Sequence, residues 1–408
     1  MSLCWIASVR RVGPATCEPT SLSAQTLRPT KRARRGRSDS ATTVGAPASV
    51  PVGANHFRHA GGKFAQEWYD DAVTTPGRDP VADLERIAFL LERRLEPSYR
   101  VKAFRGAART VRALPAGDVE QRAAAGRLTD LPGVGPVTAG VIAESLAGQL
   151  PAYVAKLEEE SSAPLAIGGE ELRAALKGDC HVHSDWSDGG SPIEEMALAA
   201  RDLGHEWMAL TDHSPRLTVA HGLSRERLLQ QFDVIDEIND RLAPFRILKG
   251  IEVDINEDGS LDQDEDMLAR LDVVVGSVHS KLRAPRDVMT KRMLGAIRNP
   301  HLDILGHCTG RLINKPRPES EFDHEAIFQA CIDNNVAVEI NSRPERLDPP
   351  RRLLRMAVEM GCFFAIDTDA HAPGQLSWQP YGCARAEECG VTPDRILNTV
   401  GAAALVGR

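Results

Sequence analysis

From residue 178 to residue 367, the chain alternates short apolar runs with longer stretches in which apolar residues recur every three or four positions. A short apolar run bounded by turn residues predicts a buried strand, and the longer period predicts an amphipathic helix. The predicted strands are 178–182, 206–211, 246–255, 271–278, 302–306, 336–341 and 363–367. Strands that alternate with helices form parallel sheets, so we predict an α/β fold in which seven strands make a closed or nearly closed barrel.

Residues 61–160 show the helical period throughout, which predicts a small all-helical domain before the barrel. The apolar positions of its first two helices are Val81, Leu84, Ile87, Ala88, Leu91 and Leu95, then Phe104, Ala107, Ala108 and Val111. A tight turn between two later helices contains Gly133, Val134 and Gly135. Glycine permits such a turn and leaves backbone N–H groups at a helix N-terminus, where a phosphate can bind.

The remaining segments differ from both domains in composition. Residues 1–60 hold nine Lys and Arg against two acidic residues and have no periodicity, which predicts a disordered basic tail. Residues 161–178 read as a linker, and the barrel domain extends over 179–408. The whole chain has a net charge of −8, so its body is acidic, which suits a protein that collects divalent cations and equally an ordinary soluble enzyme.

The eight cysteines contain no C-x-x-C pair, which favours buried thiols in a reducing compartment, and we expect the cytoplasm. No run of 18 apolar residues occurs, so a membrane span is not expected.

Polar residues that bind metals follow the predicted strands, and in a parallel barrel the chemistry lies at the carboxyl ends of the strands. One histidine alone is more often a core or loop residue. Here six of the twelve histidines lie at the end of a predicted strand or just after it, which chance does not readily produce. The predicted ligands are His181, His183, Asp188, His213, Glu252, His279, His307, Asp369 and His371. Nine are too many for one ion, so we predict two or three divalent ions, with Glu252 as a bridge and Zn, Mn or Fe as candidates.

The sequence around these residues resembles the polymerase-and-histidinol-phosphatase (PHP) family over 179–395, and specifically the PHP domain of bacterial X-family DNA polymerases. The matching segments include D-C-H-V-H-S-D-W-S-D-G, G-I-E-V-D-I-N-E-D-G and T-D-A-H. The resemblance implies a distorted (β/α)7 barrel. It also implies three ion sites: His181, His183, Glu252 and Asp369; Glu252, His279 and His307; and Asp188, His213 and His371.

The turn at Gly133 resembles the helix-hairpin-helix of DNA repair proteins, and the region around it resembles the N-terminal domain of polymerase β-type enzymes. This implies contact with the DNA backbone through 61–160, by the turn amides and by Lys102 and Arg105 upstream. The helix after the turn has no lysine, so lyase chemistry through a Schiff base is not expected. The linker leaves no room for a polymerase palm, so we expect neither nucleotidyl transfer nor a nucleotide cofactor.

These residues together predict hydrolysis of phosphoesters, with Glu252 and Asp369 at the reacting phosphate. Arg311 and Arg346 follow the fifth and sixth strands and either clamp the phosphate or remain surface loop arginines. Asp212 and Asn341 are candidates to orient histidines.

The leading hypothesis is a metal-dependent phosphoesterase for DNA, a 3′→5′ exonuclease or 3′-end processing enzyme in repair. The alternatives are a phosphomonoesterase of the histidinol-phosphatase type and a non-catalytic DNA-binding scaffold with a structural metal cluster. The sequence leaves the oligomeric state open.

Overall fold

The computed structural model describes residues 78–315 and 317–406, and the predicted basic tail, 1–60, lies outside the described residues. Seven parallel strands stand in chain order across one sheet. Their bounds are β1 (Gly178–Val182), β2 (Trp207–Leu210), β3 (Arg246–Asp254), β4 (Val273–Ser277), β5 (Ile304–Leu305), β6 (Ala337–Asn341) and β7 (Phe364–Asp367). Each strand lies within its predicted range, so the predicted α/β architecture is confirmed.

The sheet curves into a nearly closed barrel because β7 returns to β1. A parallel bridge joins Val182 to Ala370. Asn398 fills the remaining gap: its amide oxygen accepts from the Ile366 N–H at 2.9 Å, and its backbone carbonyl accepts from the Lys177 N–H at 2.7 Å. The seven strand ends therefore face one common rim.

Each strand contributes one or two apolar side chains to a cluster that includes Trp207, Leu248, Ala337 and Ala365. Side chains two positions apart on a strand share a face. Glu339 therefore lies above Ala337, and Glu252 lies four residues above Leu248. The interior thus has an apolar lower layer and a polar upper layer.

Helices cover the barrel and precede it. The helical region before the barrel contains α1 (Pro80–Arg93), α2 (Ser98–Arg112), α3 (Asp118–Ala124), α4 (Pro136–Leu146) and α5 (Ala152–Glu160). The later helices are α6 (Glu170–Ala175), α7 (Ile193–Asp202), α8 (Arg225–Leu242), α9 (Glu265–Leu268), α10 (Arg286–Ile297), α11 (His324–Asp333), α12 (Arg351–Met360), α13 (Gln379–Glu388) and α14 (Ala402–Val406). Short 3-10 turns occur at Leu128–Asp130, Thr218–Ala220, Pro373–Trp378, Pro393–Arg395 and Leu397–Thr399.

The predicted apolar faces of α1 and α2 are buried together in one core. Helix α1 begins at Pro80, where Asp79 accepts a hydrogen bond from the Val81 N–H at 2.8 Å. Leu95 is an exception to the prediction: it follows the helix with a φ of 55° and is 39% exposed. The predicted linker contains α6, and Leu172 of this helix is buried in the main barrel core.

Among the described residues, no helix is long and apolar enough to cross a membrane. The six cysteines in this part of the chain are buried and unpaired.

Candidate metal centre

The structure brings all nine predicted ligand residues together at the rim. Their donor atoms form four overlapping groups, each with all atoms within 4.8 Å of one another. The groups are His183, Asp188, His213 and His371; His181, His183 and Asp369; His181, Glu252 and His307; and His213, Glu252 and His279. As implied, Glu252 belongs to two groups, but its partners differ from the implied ones: they are His181 and His307 in one group, and His213 and His279 in the other.

Glu252 occupies the middle of the centre. Its Oε1 lies 3.0 Å from His307 Nε2 and 3.3 Å from His279 Nε2. Its Oε2 lies 2.9 Å from His213 Nδ1 and 3.4 Å from His181 Nε2. The carboxyl is 1% exposed, and neither oxygen has a hydrogen-bond partner among the described residues.

Several imidazole nitrogens beside Glu252 are likewise buried without a hydrogen-bond partner in the described structure, including His181 Nε2 and both ring nitrogens of His183. Buried polar atoms are normally satisfied, and each that is not costs about 1–3 kcal/mol. A set of imidazole and carboxylate donors that converge in this way fits transition-type divalent ions such as Zn, Mn or Fe.

The charges of the centre are strongly coupled. Burial alone raises the pKa of the Glu252 carboxyl, but the surrounding histidines, His181 first, outweigh it and hold this pKa well below its usual range. Burial and the neighbouring His371 and His213 lower the pKa of His183 to about 3. His183 is therefore neutral near pH 7, which is the form that binds a metal.

Asp369 approaches the same nitrogen of His183 as Glu252 does: Asp369 Oδ1 and Glu252 Oε2 each lie 3.6 Å from His183 Nε2. Its φ of 53° is in the left-handed region, which is uncommon for a residue other than glycine and costs about 1–3 kcal/mol. Asn341 Nδ2 donates to Asp369 Oδ2 at 3.3 Å and to Glu339 Oε2 at 3.2 Å. Asn341 therefore orients carboxylates, and its predicted role with histidines is wrong.

Of the two predicted phosphate arginines, Arg346 reaches the centre and Arg311 does not. Arg346 Nε lies 2.9 Å from Asp369 Oδ2. The Arg311 guanidinium instead donates to the backbone carbonyls of Arg346, at 3.0 Å, and Leu347. It also lies 3.5 Å from Glu319. The prediction that Arg311 contacts phosphate is therefore wrong, because its donors hold the loop that carries Arg346.

The loop that carries Asp188 is organised by Asp212. The buried Asp212 carboxylate accepts from the Ser184 N–H at 2.8 Å, the Ser184 hydroxyl at 2.6 Å and Gln231 Nε2 at 2.7 Å. Asp212 thus holds this loop and does not orient a histidine as predicted. Asp188 Oδ1 is then 3.4 Å from His371 Nε2 and 3.5 Å from His213 Nε2.

Three residues that contact the centre were not assigned from the sequence. Glu339 Oε1 is 2.6 Å from His181 Nδ1, and Asp254 accepts from the His279 N–H at 3.1 Å. Arg343 Nη1 lies 3.8 Å from Asp369 Oδ1. Glu339 follows the same strand-end pattern as the ligands, and Arg343 comes two residues after the end of β6, so position alone could have indicated both.

The glycine turn is present, but it offers fewer free amides than predicted. Gly133 is exposed with a φ of 77°. The Val134 N–H donates to the Leu131 carbonyl at 3.1 Å, and the Gly135 N–H donates to Thr138 Oγ1 at 3.0 Å. The backbone N–H groups of Val134 and Gly135 are thus already hydrogen-bonded within the protein, and the prediction that they contact phosphate is wrong. Gly133 remains a candidate.

The two basic residues predicted upstream also differ from each other. Lys102 is exposed on α2. Arg105 is 7% exposed and makes two hydrogen bonds, of 3.0 and 3.1 Å, to the buried Glu92 carboxylate. Arg105 is therefore not available to DNA, and that prediction is wrong.

Two protein families match the chain, and the matches fall on separate segments. The helix-hairpin-helix domain matches residues 76–149, and the PHP domain matches residues 179–343. The DNA polymerase/3′-5′ exonuclease PolX of Bacillus subtilis (strain 168) is 44% identical over 223 residues, which are 55% of this chain and 39% of that protein. This chain therefore spans well under two thirds of that relative.

Shorter relatives are covered almost completely. A probable phosphatase of Thermoanaerobacter sp. (strain X514) is 30% identical over 233 residues, which are 54% of this chain and 89% of the relative. A histidinol phosphate phosphatase of Lactococcus lactis, crystallised with Zn, L-histidinol and phosphate, is 19% identical. It aligns with a TM-score of 0.40 over 53% of this chain and 95% of that structure.

Proposed function

The chain belongs to the PHP domain family, whose members are metal-dependent phosphoesterases, and on this premise we propose that it hydrolyses phosphodiester bonds at DNA 3′ ends in repair. The observation that carries the proposal is that the helical region, which contains the glycine turn, packs against segments beside the rim of the barrel. The Gly374 N–H donates to Glu92 at 2.9 Å, and Arg112 lies 3.9 Å from Glu195. The relative named as a 3′-5′ exonuclease supports the choice of polarity.

We propose that two or three divalent ions, Zn, Mn or Fe, bind in the four groups of the metal centre. When bound, such ions would lower the pKa of a bound water molecule to about 7 and would offset the negative charge on the phosphoryl oxygens. Glu339 Oε1 lies 2.6 Å from His181 Nδ1 and orients that imidazole. Asp254 accepts from the backbone N–H of His279, and its Oδ1 also lies 3.5 Å from His279 Nδ1, which positions the second imidazole.

The arginines on one side of the centre would receive the substrate phosphate. Arg346 and Arg343 both lie beside Asp369. A guanidinium presents several donors in a fixed plane and suits two phosphoryl oxygens at once. Arg311 would not contact the substrate. It donates a hydrogen bond to the backbone carbonyl of Arg346 and so keeps the loop of Arg346 in place.

The helical region would hold the DNA backbone. Thr110 of α2 donates to the carbonyl of Pro132, which fixes the glycine turn to that helix at 2.9 Å. Arg112 of the same helix lies 3.9 Å from Glu195 of α7, the helix that follows the Asp188 loop. A duplex seated on the turn would therefore be held close to the rim.

We also propose a cytoplasmic location for the protein. A DNA substrate and buried free thiols both favour this compartment.

A phosphomonoesterase is the rival, because relatives named as probable phosphatases are covered over most of their length by the barrel alone. Such a substrate has no use for a backbone contact outside the barrel, and the docked helical region therefore favours DNA.

The test is a substrate comparison with the purified chain in Mn²⁺ or Zn²⁺. The substrates are a 5′-labelled duplex with a recessed 3′ end, a single-stranded oligonucleotide and histidinol phosphate. We expect the labelled strand to shorten stepwise from its 3′ end, and the variant His181→Ala to lose this activity by more than about 10²-fold. His301→Ala is the matched control, because His301 is not one of the predicted ligands. Its Nε2 lies 3.4 Å from Glu265 Oε2, outside the four groups of the metal centre. Intact DNA together with rapid turnover of histidinol phosphate would refute the proposal.

A further inference from the structure

We propose that the helical region is a brace for the outermost metal group, and that Glu92 and Arg105 are positioning residues for it. This outer group consists of His183, Asp188, His213 and His371. The inference rests on the proposed metal centre, but it does not depend on which phosphoester is the substrate.

The outer group is the least enclosed part of the centre. The side chains of Asp188 and His371 are 36% and 18% exposed, whereas those of His181, Glu252 and Asp369 are at most 2% exposed. Asp188 and His371 also lie on the loops after β1 and β7 rather than on the strands. Packing inside the barrel therefore does not fix their separation.

The two loops contact each other directly. The Gly190 N–H donates to the His371 carbonyl at 2.6 Å. The His371 N–H in turn donates to Gln375 Oε1 at 2.7 Å, inside the segment Pro373–Trp378. A shift of this segment would therefore displace His371 relative to Asp188.

The helical region holds that segment from outside. Glu92 Oε2 accepts from the Gly374 N–H at 2.9 Å, and the Arg93 carbonyl accepts from Trp378 Nε1 at 2.9 Å. A Cβ on residue 374 would lie 2.1 Å from the Phe89 carbonyl oxygen, a distance that no real contact allows. The close approach of α1 to this segment therefore requires glycine at Gly374.

One arginine links this contact to the other loop. Arg105 makes its two hydrogen bonds to Glu92, and its Nη1 lies 3.6 Å from Glu195 Oε2. Glu195 belongs to α7, which begins shortly after Asp188. The buried pair Glu92–Arg105 therefore connects the segment after His371 with the helix after Asp188, and the position of both ligands depends on it.

The test measures Co²⁺ binding to the full chain by titration, followed by the visible absorption of bound cobalt and by metal content. Glu92→Gln, Arg105→Lys and Gly374→Ala each disturb the brace in a different way. We expect all three to weaken one class of cobalt site by about tenfold or more and to leave the other sites unchanged. Asp188→Asn should alter the same class of site.

Arg86→Gln is the matched control, because Arg86 pairs with Glu158 at 3.0 Å inside the helical region. It should leave every cobalt site unchanged. If Glu92→Gln does not fold, Gly374→Ala and Arg105→Lys provide the same comparison. Wild-type cobalt binding in the folded brace variants would overturn the inference, as would an equal loss at all sites.

These results are separable from the proposed function. A chain that binds cobalt as expected but leaves DNA intact would refute the proposed substrate and keep the brace. A wild-type chain that binds no cobalt would refute the metal centre itself.

Discussion

Replacement of Glu339 by glutamine removes a carboxylate that two predicted ligands depend on. Glu339 Oε1 is 2.6 Å from His181 Nδ1, and Oε2 accepts from the His307 backbone N–H. Burial raises the pKa of Glu339, but His181 outweighs it and the pKa is lowered, so the side chain is ionised. Both oxygens therefore act as acceptors in a site with 0% exposure.

A glutamine amide has one acceptor and one donor end, so it can satisfy His181 or His307 but not both. Whichever is lost becomes a buried donor opposite another donor, which costs about 1–3 kcal/mol. Since about 1.4 kcal/mol corresponds to a factor of ten, metal affinity should fall by roughly 5- to 150-fold. This agrees with the roughly 10- to 100-fold losses that follow when the partner of a ligating histidine is removed.

The assay is competition for Zn²⁺ or Mn²⁺ against a chromophoric chelator, alongside kcat/KM for the most active substrate. Glu339→Asp, which keeps the charge, should bind metal better than Glu339→Gln. Glu325→Gln, on the exposed face of α11, is the control and should match the wild type. If Glu339→Gln binds metal with wild-type affinity, the hydrogen bond to His181 does not orient a ligand and the reasoning fails.

Four further predictions concern the centre, the fold and the glycine turn. Arg346→Gln should lower kcat by about 10²–10³-fold. Arg311→Gln should lower kcat only about tenfold, because Arg311 acts through the loop that carries Arg346; equal losses of the two variants in steady-state assays would contradict this. Chelation with EDTA should lower the melting temperature in calorimetry, because bound metal at 100 times its Kd contributes about 2.7 kcal/mol. Burial and then Arg173 lower the pKa of His205 to about 3, so protonation favours unfolding below the unfolded-state value of about 6.5. Between pH 7.5 and 5.5, the wild type should lose about 1.4 kcal/mol more of its unfolding free energy than His205→Gln in urea titrations. Gly133→Ala should weaken duplex binding in fluorescence anisotropy without changing p-nitrophenyl phosphate hydrolysis, because its φ of 77° costs alanine about 1–2 kcal/mol.

The strands and the ligand residues could be predicted from the sequence because both follow from local pattern. A short apolar run predicts a buried strand, and the parallel barrel then assigns its carboxyl end to the rim. Leu248 and Glu252 illustrate this: the same alternation that puts Leu248 in the apolar layer puts Glu252 in the polar layer. Neither step requires knowledge of which residues far apart in the chain contact each other.

The roles of the arginines could not be predicted because they depend on partners distant in sequence. Arg105 is basic and near the glycine turn in sequence, yet it is buried and paired with Glu92 of the helical region and Glu195 of α7. Arg311 follows a strand end as the ligands do, but a long side chain can turn away from the rim toward a backbone carbonyl. For histidines and carboxylates the shorter side chain leaves less freedom, and strand position decides more of the outcome.

The division of the barrel interior decides how variants of the metal centre can be interpreted. The apolar layer around Trp207 and Leu248, with the clusters under the helices, contains none of the nine predicted ligands. Hydrophobic burial at about 25 cal/mol per Å² in these layers is therefore kept when a ligand such as His181 is replaced. Replacement also removes buried polar atoms that have no partner without a metal, and this offsets part of the lost packing. A ligand variant should consequently remain folded, so its loss of hydrolysis reports on the chemistry of the centre rather than on the stability of the barrel.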